Sequence, residues 1–381
     1  MKHLNTIVFF VFLGASAIAS NFPLEAWHDS NGPFYRHYEG YINGKPAVMN
    51  ILKPPHYSGN LFVAFYYYLE NGLPIYLDGS HIFYHPKSSY IYSTGAGSLK
   101  AEQELLDTLK YVTDTIILGG MAGELPNFRG NFSGDSIFSG LVFNDNTKTG
   151  SFYFKETANR EKYTYDVASY QGDTVLASKN GLKVKFSLDY VIPYKDGLEK
   201  AKMQKYVFDL FSNCTGSGKK ATKLYPCVDR MLGDRYPEIK KWTFDWITLE
   251  SVATVIYHEK NIISFFCLNN FDTDRRGGHR TSVRSYDTKK GKAIGFNDAF
   301  QKGSREKVYA SIKEKRKRYD PSDESMRYFD ENNFYLTNKN IVFVVSGESE
   351  SSDGIVEGFE APFPIDEIKN MLNPGFYDML K

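Results

Sequence analysis

The fold class follows from one stretch near the N-terminus, Phe34-Tyr35-Arg36-His37-Tyr38-Glu39-Gly40-Tyr41-Ile42, then Asn43-Gly44, then Ala47-Val48-Met49-Asn50-Ile51-Leu52. Aromatic and β-branched residues favour extended strands, and Asn-Gly supplies the two positive-φ positions that a tight hairpin turn requires. The stretch therefore predicts an antiparallel β-hairpin.

Short strand-like runs of the same kind continue to about residue 160. The further predicted strands are Leu61–Leu69, Pro74–Leu77, Ser89–Tyr92, Thr115–Leu118, Ile137–Phe143 and Ser151–Lys155. Asn71-Gly72 and Asp78-Gly79 predict turns, and Leu99–Tyr111 predicts a single helix. Regularly spaced strands separated by turn signals are typical of a sandwich or barrel, so we expect residues 20–160 to form a β-rich module.

The pattern changes after residue 160 to longer strands mixed with helices. The predicted elements are a period-2 strand at Leu182–Leu188, a helix at Leu198–Phe211, a hairpin of Thr248–Tyr257 with Ile262–Asn269, a helix or helix pair at Asn297–Arg318, a strand at Ile341–Val345 and a closing helix at Ile365–Leu372. Strands come in runs, and no Gly-rich strand-to-helix crossover is visible. We therefore predict an α+β module over residues 161–381, with an antiparallel sheet and packed helices rather than βαβ units.

The amino-acid composition argues against one class of function and favours another. The 381 residues include 46 Lys and Arg against 45 Asp and Glu, so the formal charge is +1 and the uniformly basic signature of a nucleic-acid binder is missing. Aromatic residues make up 16% of the chain, with 28 Tyr, 29 Phe and 3 Trp. Such a surplus supports a strand-rich fold and suggests an aromatic contact surface.

Residues 1–19 have the features of a secretory signal peptide. Lys2 provides the positive start, Ile7–Leu13 the apolar run and Ala17-Ile18-Ala19 the small-residue cleavage site. The apolar run is too short for a membrane span, and no later segment provides one. We therefore expect a neutral mature chain that begins at Ser20, lacks a transmembrane segment and is exported to the periplasm or secreted.

Three cysteines remain in the mature chain. Cys214 and Cys227 flank a Gly/Ser/Lys-rich segment, and in an oxidising compartment they are expected to close a short disulfide loop. Cys267 lies in the apolar run Ile262–Leu268, where a thiol behaves as a small buried hydrophobe.

A series of short motifs runs through the segment from residue 271 to 372. In order they are Gly277-Gly278-His279, Ser285-Tyr286-Asp287-Thr288, Gly291-Lys292, Asp298-Ala299-Phe300, Asn333-Phe334-Tyr335-Leu336-Thr337, Ile341-Val342-Phe343, Gly358 and Pro362-Phe363-Pro364-Ile365. With these motifs the segment resembles the RsiV-type extracytoplasmic domain found in a lysozyme-binding bacterial anti-sigma factor and, outside its catalytic domain, in a peptidoglycan deacetylase. Residues 161–270 are similar to the unit that precedes that domain. The resemblance implies a binding and sensing module with a lysozyme-like partner.

The residues of these motifs expected to contribute to binding are Gly277, Gly278, His279, Tyr286 and Tyr335. No catalytic residue, cofactor or metal is expected. A metal at His81 and His85 is disfavoured because they flank a strand-like run and lack the His-Glu-x-x-His arrangement.

We therefore predict an exported envelope protein that is a non-catalytic binding module. Its expected partner is a protein such as a lysozyme-like muramidase, or a cell-wall polymer, with no nucleic acid. The alternative is a hydrolase of envelope polysaccharide or peptide that uses His279 and nearby acids.

Overall fold

The structure is a computed structural model. It describes residues 33–55, 62–85, 90–93, 114–119, 126–133, 136–144, 147–157, 163–176, 182–212, 246–273, 277–317, 329–345, 349–351, 354–355 and 359–380. Residues 1–32, Cys214, Cys227 and the predicted helix Leu99–Tyr111 lie outside these ranges. The expected signal peptide and disulfide therefore stay predictions.

Strands dominate the described residues. In chain order they are β1 Phe34–Ile42, β2 Lys45–Lys53, β3 Phe62–Tyr68, β4 Ile75–His85, β5 Tyr90–Ser93, β6 Asp114–Gly119, β7 Asn127–Ser133, β8 Ile137–Asn144, β9 Thr147–Glu156, β10 Thr164–Leu176, β11 Leu182–Tyr194, β12 Trp246–Glu259, β13 Ile262–Thr273, β14 Gly277–Asp287, β15 Lys292–Ile294, β16 Phe334–Leu336, β17 Asn340–Val345, β18 Ser349–Ser351, β19 Gly354–Ile355 and β20 Phe359–Pro364. The helices are α1 Gly197–Ser212, α2 Phe296–Ala299, α3 Arg305–Lys317, α4 Ile365–Ile368 and α5 Pro374–Leu380, with a 3₁₀ turn at Lys369–Met371. The fold is thus a strand-rich α+β fold.

The first sheet contains β1–β9, and eight of its strands form a closed ring. Neighbours in the sequence pair in antiparallel fashion, β9 returns to β1, and β4 pairs with both β3 and β6. The interior of this strand ring is filled by apolar side chains that include Phe128, Phe138, Phe152 and Phe154. The interior of an eight-stranded ring is narrow enough for side chains to fill, and these buried side chains form its packed core.

The second sheet has the order β10-β11-β12-β13-β14-β15 and lies against the outside of the strand ring. Its apolar residues share one core with ring residues such as Val48, Val63 and Phe65. The core thus joins residues on both sides of position 160. Helix α1 packs against the opposite face through Val207, Met203 and the ring of Tyr206, which is 5.8 Å from that of Phe265.

A third sheet, β16-β17-β20, carries helices α2–α5 around a separate core that includes Phe296, Phe300 and Phe343. Its β16–β17 turn reaches the strand ring, where the Asn340 side-chain amide donates to the carbonyl of Asn71 at 3.0 Å. These three sheets are therefore in mutual contact, while β18 and β19 form a separate two-stranded antiparallel sheet.

Two local predictions were wrong. Asp78-Gly79 is not a turn but lies within β4, at the point where this strand pairs with both β3 and β6. β11 and β12 are parallel, although no βαβ unit was expected. A parallel pair needs a long crossover, and the connection between residues 194 and 246, which includes α1, provides it without a Gly-rich signature.

The predicted Asn43-Gly44 turn is confirmed, with φ values of 52° and 77°. None of the helices in the described ranges is long and apolar enough to cross a membrane.

Candidate functional site

An exposed pair of tyrosines lies on the outer face of the strand ring, at the end of β1 that the second sheet does not cover. Tyr41 of β1 and Tyr153 of β9 are direct cross-strand partners, and their exposed fractions are 54% and 48%. Directly opposite residues of an antiparallel pair project from the same face of the sheet. We call Tyr41 and Tyr153 the tyrosine pair.

Small polar and charged residues surround the tyrosine pair. Glu39 and Lys155 are the next cross-strand partners on the same face, while Ser139 of β8 pairs with Tyr153 on its other side. Alternation along β9 places Ser151 on this face as well, and Ser151 is exposed. The result is an exposed aromatic surface with hydroxyl groups and opposite charges at its border.

A groove of about 680 Å³ lies where the three sheets meet. Its walls come from the β3–β4 and β12–β13 connections, the β16–β17 turn and the C-terminal helices; the residues that line it are Asn71, Leu73, Glu259, Lys260, Asn338, Lys339, Asn340, Pro364, Ile365, Asp366, Tyr377 and Leu380.

Both lysines of the groove hold its walls together. Lys339 Nζ donates to the carbonyls of Leu69 and Glu70, and Lys260 Nζ donates to the carbonyl of Leu380 at 3.4 Å. Because these ammonium groups already bond to the protein, the arrangement favours a structural role for the groove.

A buried polar contact connects the strand ring to the second sheet. A β-bulge between Val255 and Tyr257 interrupts the pairing of β12. Tyr35 Oη donates to the Val255 carbonyl at 3.1 Å, and Asn50 Nδ2 donates to the Ile256 carbonyl at 3.3 Å. Two side chains from the strand ring thus donate hydrogen bonds to backbone carbonyls at the bulge.

Two histidines continue this contact. His37 Nδ1 lies 2.8 Å from Asn50 Oδ1, and His258 Nδ1 lies 2.8 Å from the hydroxyl of Tyr165. The residues of this contact, which we call the joint, are Tyr35, His37, Asn50, Tyr165 and His258.

The pKa of His258 in the joint lies far from its ordinary value. Burial, followed by the nearby His37 and Lys195, lowers the pKa of His258 to about 3. The imidazole is therefore neutral at pH 7, and it is 6% exposed.

Cys267 is a free, buried thiol, as the sequence predicts. Burial raises its pKa to about 12, with smaller opposite effects from Arg284 and Ser282. The thiolate needed for nucleophilic chemistry is thus absent near neutral pH.

The residues expected to bind a partner lie in two places. Gly277, Gly278 and His279 begin β14, where His279 pairs with Asn270. Tyr286 and Tyr335 are 6% and 1% exposed and belong to the core that the sheets share. Tyr286 packs against Tyr206 with ring centroids 4.4 Å apart, and Tyr335 Oη donates to Glu360 at 3.3 Å.

Sequence reasoning did not single out the tyrosine pair. Period-2 alternation places Tyr41 on the same face of β1 as Tyr35, which is 7% exposed, so the pattern alone assigns both the same environment. The difference arises because the second sheet covers only the Tyr35 end of β1.

Three comparisons with known proteins were made, and matches were found only among solved structures. No protein-family model matches the chain, and no curated protein matches it in sequence. Among solved structures, it is similar to a DUF3298-family protein from Bacteroides fragilis, with 16% identity and a TM-score of 0.38 over 57% of this chain and 97% of the other. It is also similar to a DUF3298-family protein from Pseudomonas aeruginosa, with 11% identity and a TM-score of 0.37 over 56% and 95%. The structural neighbours are thus members of an uncharacterised domain family, and the resemblance to the RsiV-type domain stays a prediction.

Proposed function

We propose that this chain is an exported, non-catalytic binding protein of the bacterial cell envelope, and that it binds cell-wall polymer on the tyrosine pair. The observation that carries the proposal is the exposure of two directly paired aromatic side chains on the outer face of the strand ring. Buried strand faces are the normal place for tyrosines in a ring of this kind, so an exposed pair favours a contact surface.

The surroundings of the tyrosine pair favour a polysaccharide over a protein. Sugar rings have an apolar face that stacks on an aromatic ring and hydroxyl groups that need hydrogen-bond partners. Tyr41 and Tyr153 offer aromatic rings on which the apolar face of a sugar can stack. Ser139, Ser151 and the Glu39–Lys155 pair offer hydrogen-bond partners for the sugar hydroxyls. A protein partner such as a lysozyme-like muramidase is the other outcome that the experiment below must separate.

The test is a binding assay with two probes, insoluble peptidoglycan and lysozyme. We expect the mature protein to sediment with peptidoglycan and to release no soluble fragments from it. A complex with lysozyme that forms without peptidoglycan binding would favour a protein partner. Binding to neither probe, or digestion of the peptidoglycan, would overturn the proposal.

Export rests on the N-terminal features alone and is tested separately. Protein isolated from the envelope of its own cells should begin at Ser20, because cleavage follows Ala17-Ile18-Ala19. An intact Met1 on the isolated protein would contradict export by this route.

A further inference from the structure

The joint contains a buried histidine whose second ring nitrogen has no partner among the described residues. His258 uses Nδ1 on the Tyr165 hydroxyl, while its Nε2 is buried and makes no hydrogen bond. The ring of Tyr163 packs edge-on against the imidazole, with centroids 4.3 Å apart. The neutral imidazole can occupy this site without a partner at Nε2. The charged form would place an N–H donor at Nε2 with no acceptor in the described part of the chain.

We propose that the joint is an acid-sensitive latch: when His258 takes up a proton, the second sheet separates from the strand ring. The strand ring itself stays folded. We call the state in which the second sheet and the strand ring are in contact closed, and the separated state open. This inference goes beyond the proposed binding function and does not depend on it.

The charges around His258 give a protonated imidazole little compensation. His37 approaches from β1, and Lys195, which follows β11, places its Nζ 4.5 Å from the centre of the Tyr163 ring. Both lower the pKa of His258, because positive charge beside the imidazole disfavours its protonation.

The neighbouring carboxylates already have partners. Glu39 Oε1 is 3.8 Å from His37 Nε2. Glu199 of α1 accepts from Tyr163 Oη at 3.2 Å and from the Lys195 amide at 2.8 Å. On the strand of His258 itself, Glu259 accepts from Tyr257 Oη at 2.7 Å. The acids near the joint therefore stabilise other groups in the closed state.

The pH range over which the joint opens follows from the difference between the pKa values of His258 in the closed and open states. The pKa of His258 is about 3 in the closed state, against an ordinary value of 6.5 when the ring is exposed to water. The open state therefore binds the proton more tightly, and the closed state loses stability as pH falls from 6.5 towards 3. The opening equilibrium constant is expected to rise about tenfold for each pH unit in this window.

The side chains between the strand ring and the second sheet differ from those that form the interior core of the strand ring. Phe65 of the ring meets Phe266 of the second sheet at 4.9 Å between centroids, on the outer face of the ring. The ring interior is built from a different set of side chains, including Phe128, Phe138 and Phe154. The interior core is therefore built from side chains that do not belong to the joint.

The experiment measures thiol accessibility at the joint. Val63 is fully buried on the outer face of the ring, so Val63→Cys places a thiol under the second sheet. Cys214→Ser and Cys227→Ser remove the other reactive groups, and the reagent is 4,4′-dithiodipyridine, which reacts with thiols in acid. Cys267 is the internal control, because it is buried on the same face of β13 as Phe265, which contacts Tyr206 of α1 and not the strand ring.

We expect labelling at position 63 to accelerate about 50-fold between pH 6.5 and 4.5, after correction with the unfolded protein, while Cys267 stays unlabelled. His258→Asn keeps a group that bonds Tyr165 but cannot take the charge, and it should abolish the acceleration. His279→Asn, the same change outside the joint, should leave the acceleration unchanged.

Three results would overturn the proposal: labelling at position 63 that does not change with pH, labelling of Cys267 in parallel with position 63, or full acceleration in His258→Asn. If His258→Asn does not fold, NMR titration of the His258 ring in the unchanged protein decides, because a pKa near 6.5 in the closed state would contradict the latch.

Discussion

Asn333 fixes three strands through one side-chain amide. Its Oδ1 accepts from the Val283 amide of β14 at 2.8 Å, and its Nδ2 donates to the Val344 carbonyl of β17 at 2.6 Å. Asn333 itself precedes β16 and is 3% exposed. The asparagine of the Asn-Phe-Tyr-Leu-Thr motif therefore has a structural role, in which it orients the third sheet on the second.

Asn333→Ala should lower the free energy of unfolding by about 3 kcal/mol, because it leaves a buried N–H and a buried carbonyl without partners. Chemical denaturation measures this loss. Asn297→Ala is the matched control, since Asn297 is exposed, and its effect should stay within about 0.5 kcal/mol. Equal effects of the two substitutions would contradict the bridging role.

Cys267 should resist alkylation in the folded protein at pH 8, because its pKa is raised to about 12 by burial. Peptide mass spectrometry after iodoacetamide treatment would detect modification at this residue. We expect none without denaturant and complete modification in urea. Rapid alkylation of the folded protein would show that the thiol is accessible.

Residue environments were predictable where they depend on the local sequence. The burial of Cys267 follows from its apolar run, and the prediction is confirmed. The burial of Tyr286 and Tyr335 depends instead on contacts with α1 and with Glu360, which are distant in the sequence. One sequence does not reveal such contacts.

At the scale of elements, glycines make room for aromatic side chains inside the strand ring. Gly130 of β7 and Gly140 of β8 are cross-strand partners. A Cβ added to Gly130 would lie 2.6 Å from the ring carbon Cζ of Phe152 and would also meet the Ser139 carbonyl. These strands therefore approach the interior core more closely than a side chain at this level allows.

Gly130→Ala should destabilise the strand ring by about 1–3 kcal/mol through overpacking against Phe152. Gly197→Ala is the control, because nothing lies within 4 Å of the added Cβ at the start of α1, and it should be neutral or slightly stabilising. Thermal unfolding compares the two. A neutral Gly130→Ala would contradict the close packing inferred for the ring.

Elements were predictable where strand formers and turn signals agree. The sequence predicts β1 with its observed bounds and the β12–β13 hairpin to within a few residues. β7 was missed because Asn127-Phe128-Arg129-Gly130-Asn131-Phe132-Ser133 combines polar residues with a glycine and resembles a loop. It forms a strand because ring closure needs one between β6 and β8, which is a non-local requirement.

At the scale of the whole molecule, polar bonds and aromatic contacts connect the three sheets. The joint connects the strand ring to the second sheet, and the β16–β17 turn connects the third sheet to the β3–β4 loop. None of these contacts is local in the sequence, which explains why the sequence predicts two successive modules but not the core that they share. The tyrosine pair is the aromatic part of the outer ring face that these contacts leave exposed.

The most direct test of the central claim, that the tyrosine pair is the contact surface for cell-wall polymer, is the affinity for peptidoglycan of the double variant Tyr41→Ala, Tyr153→Ala. Tyr170→Ala is the matched control, because Tyr170 is 44% exposed but belongs to the second sheet. We expect binding about tenfold weaker or worse in the double variant, which corresponds to about 1.4 kcal/mol, and wild-type binding in the control. Equal binding by the wild-type protein and the double variant would contradict the claim.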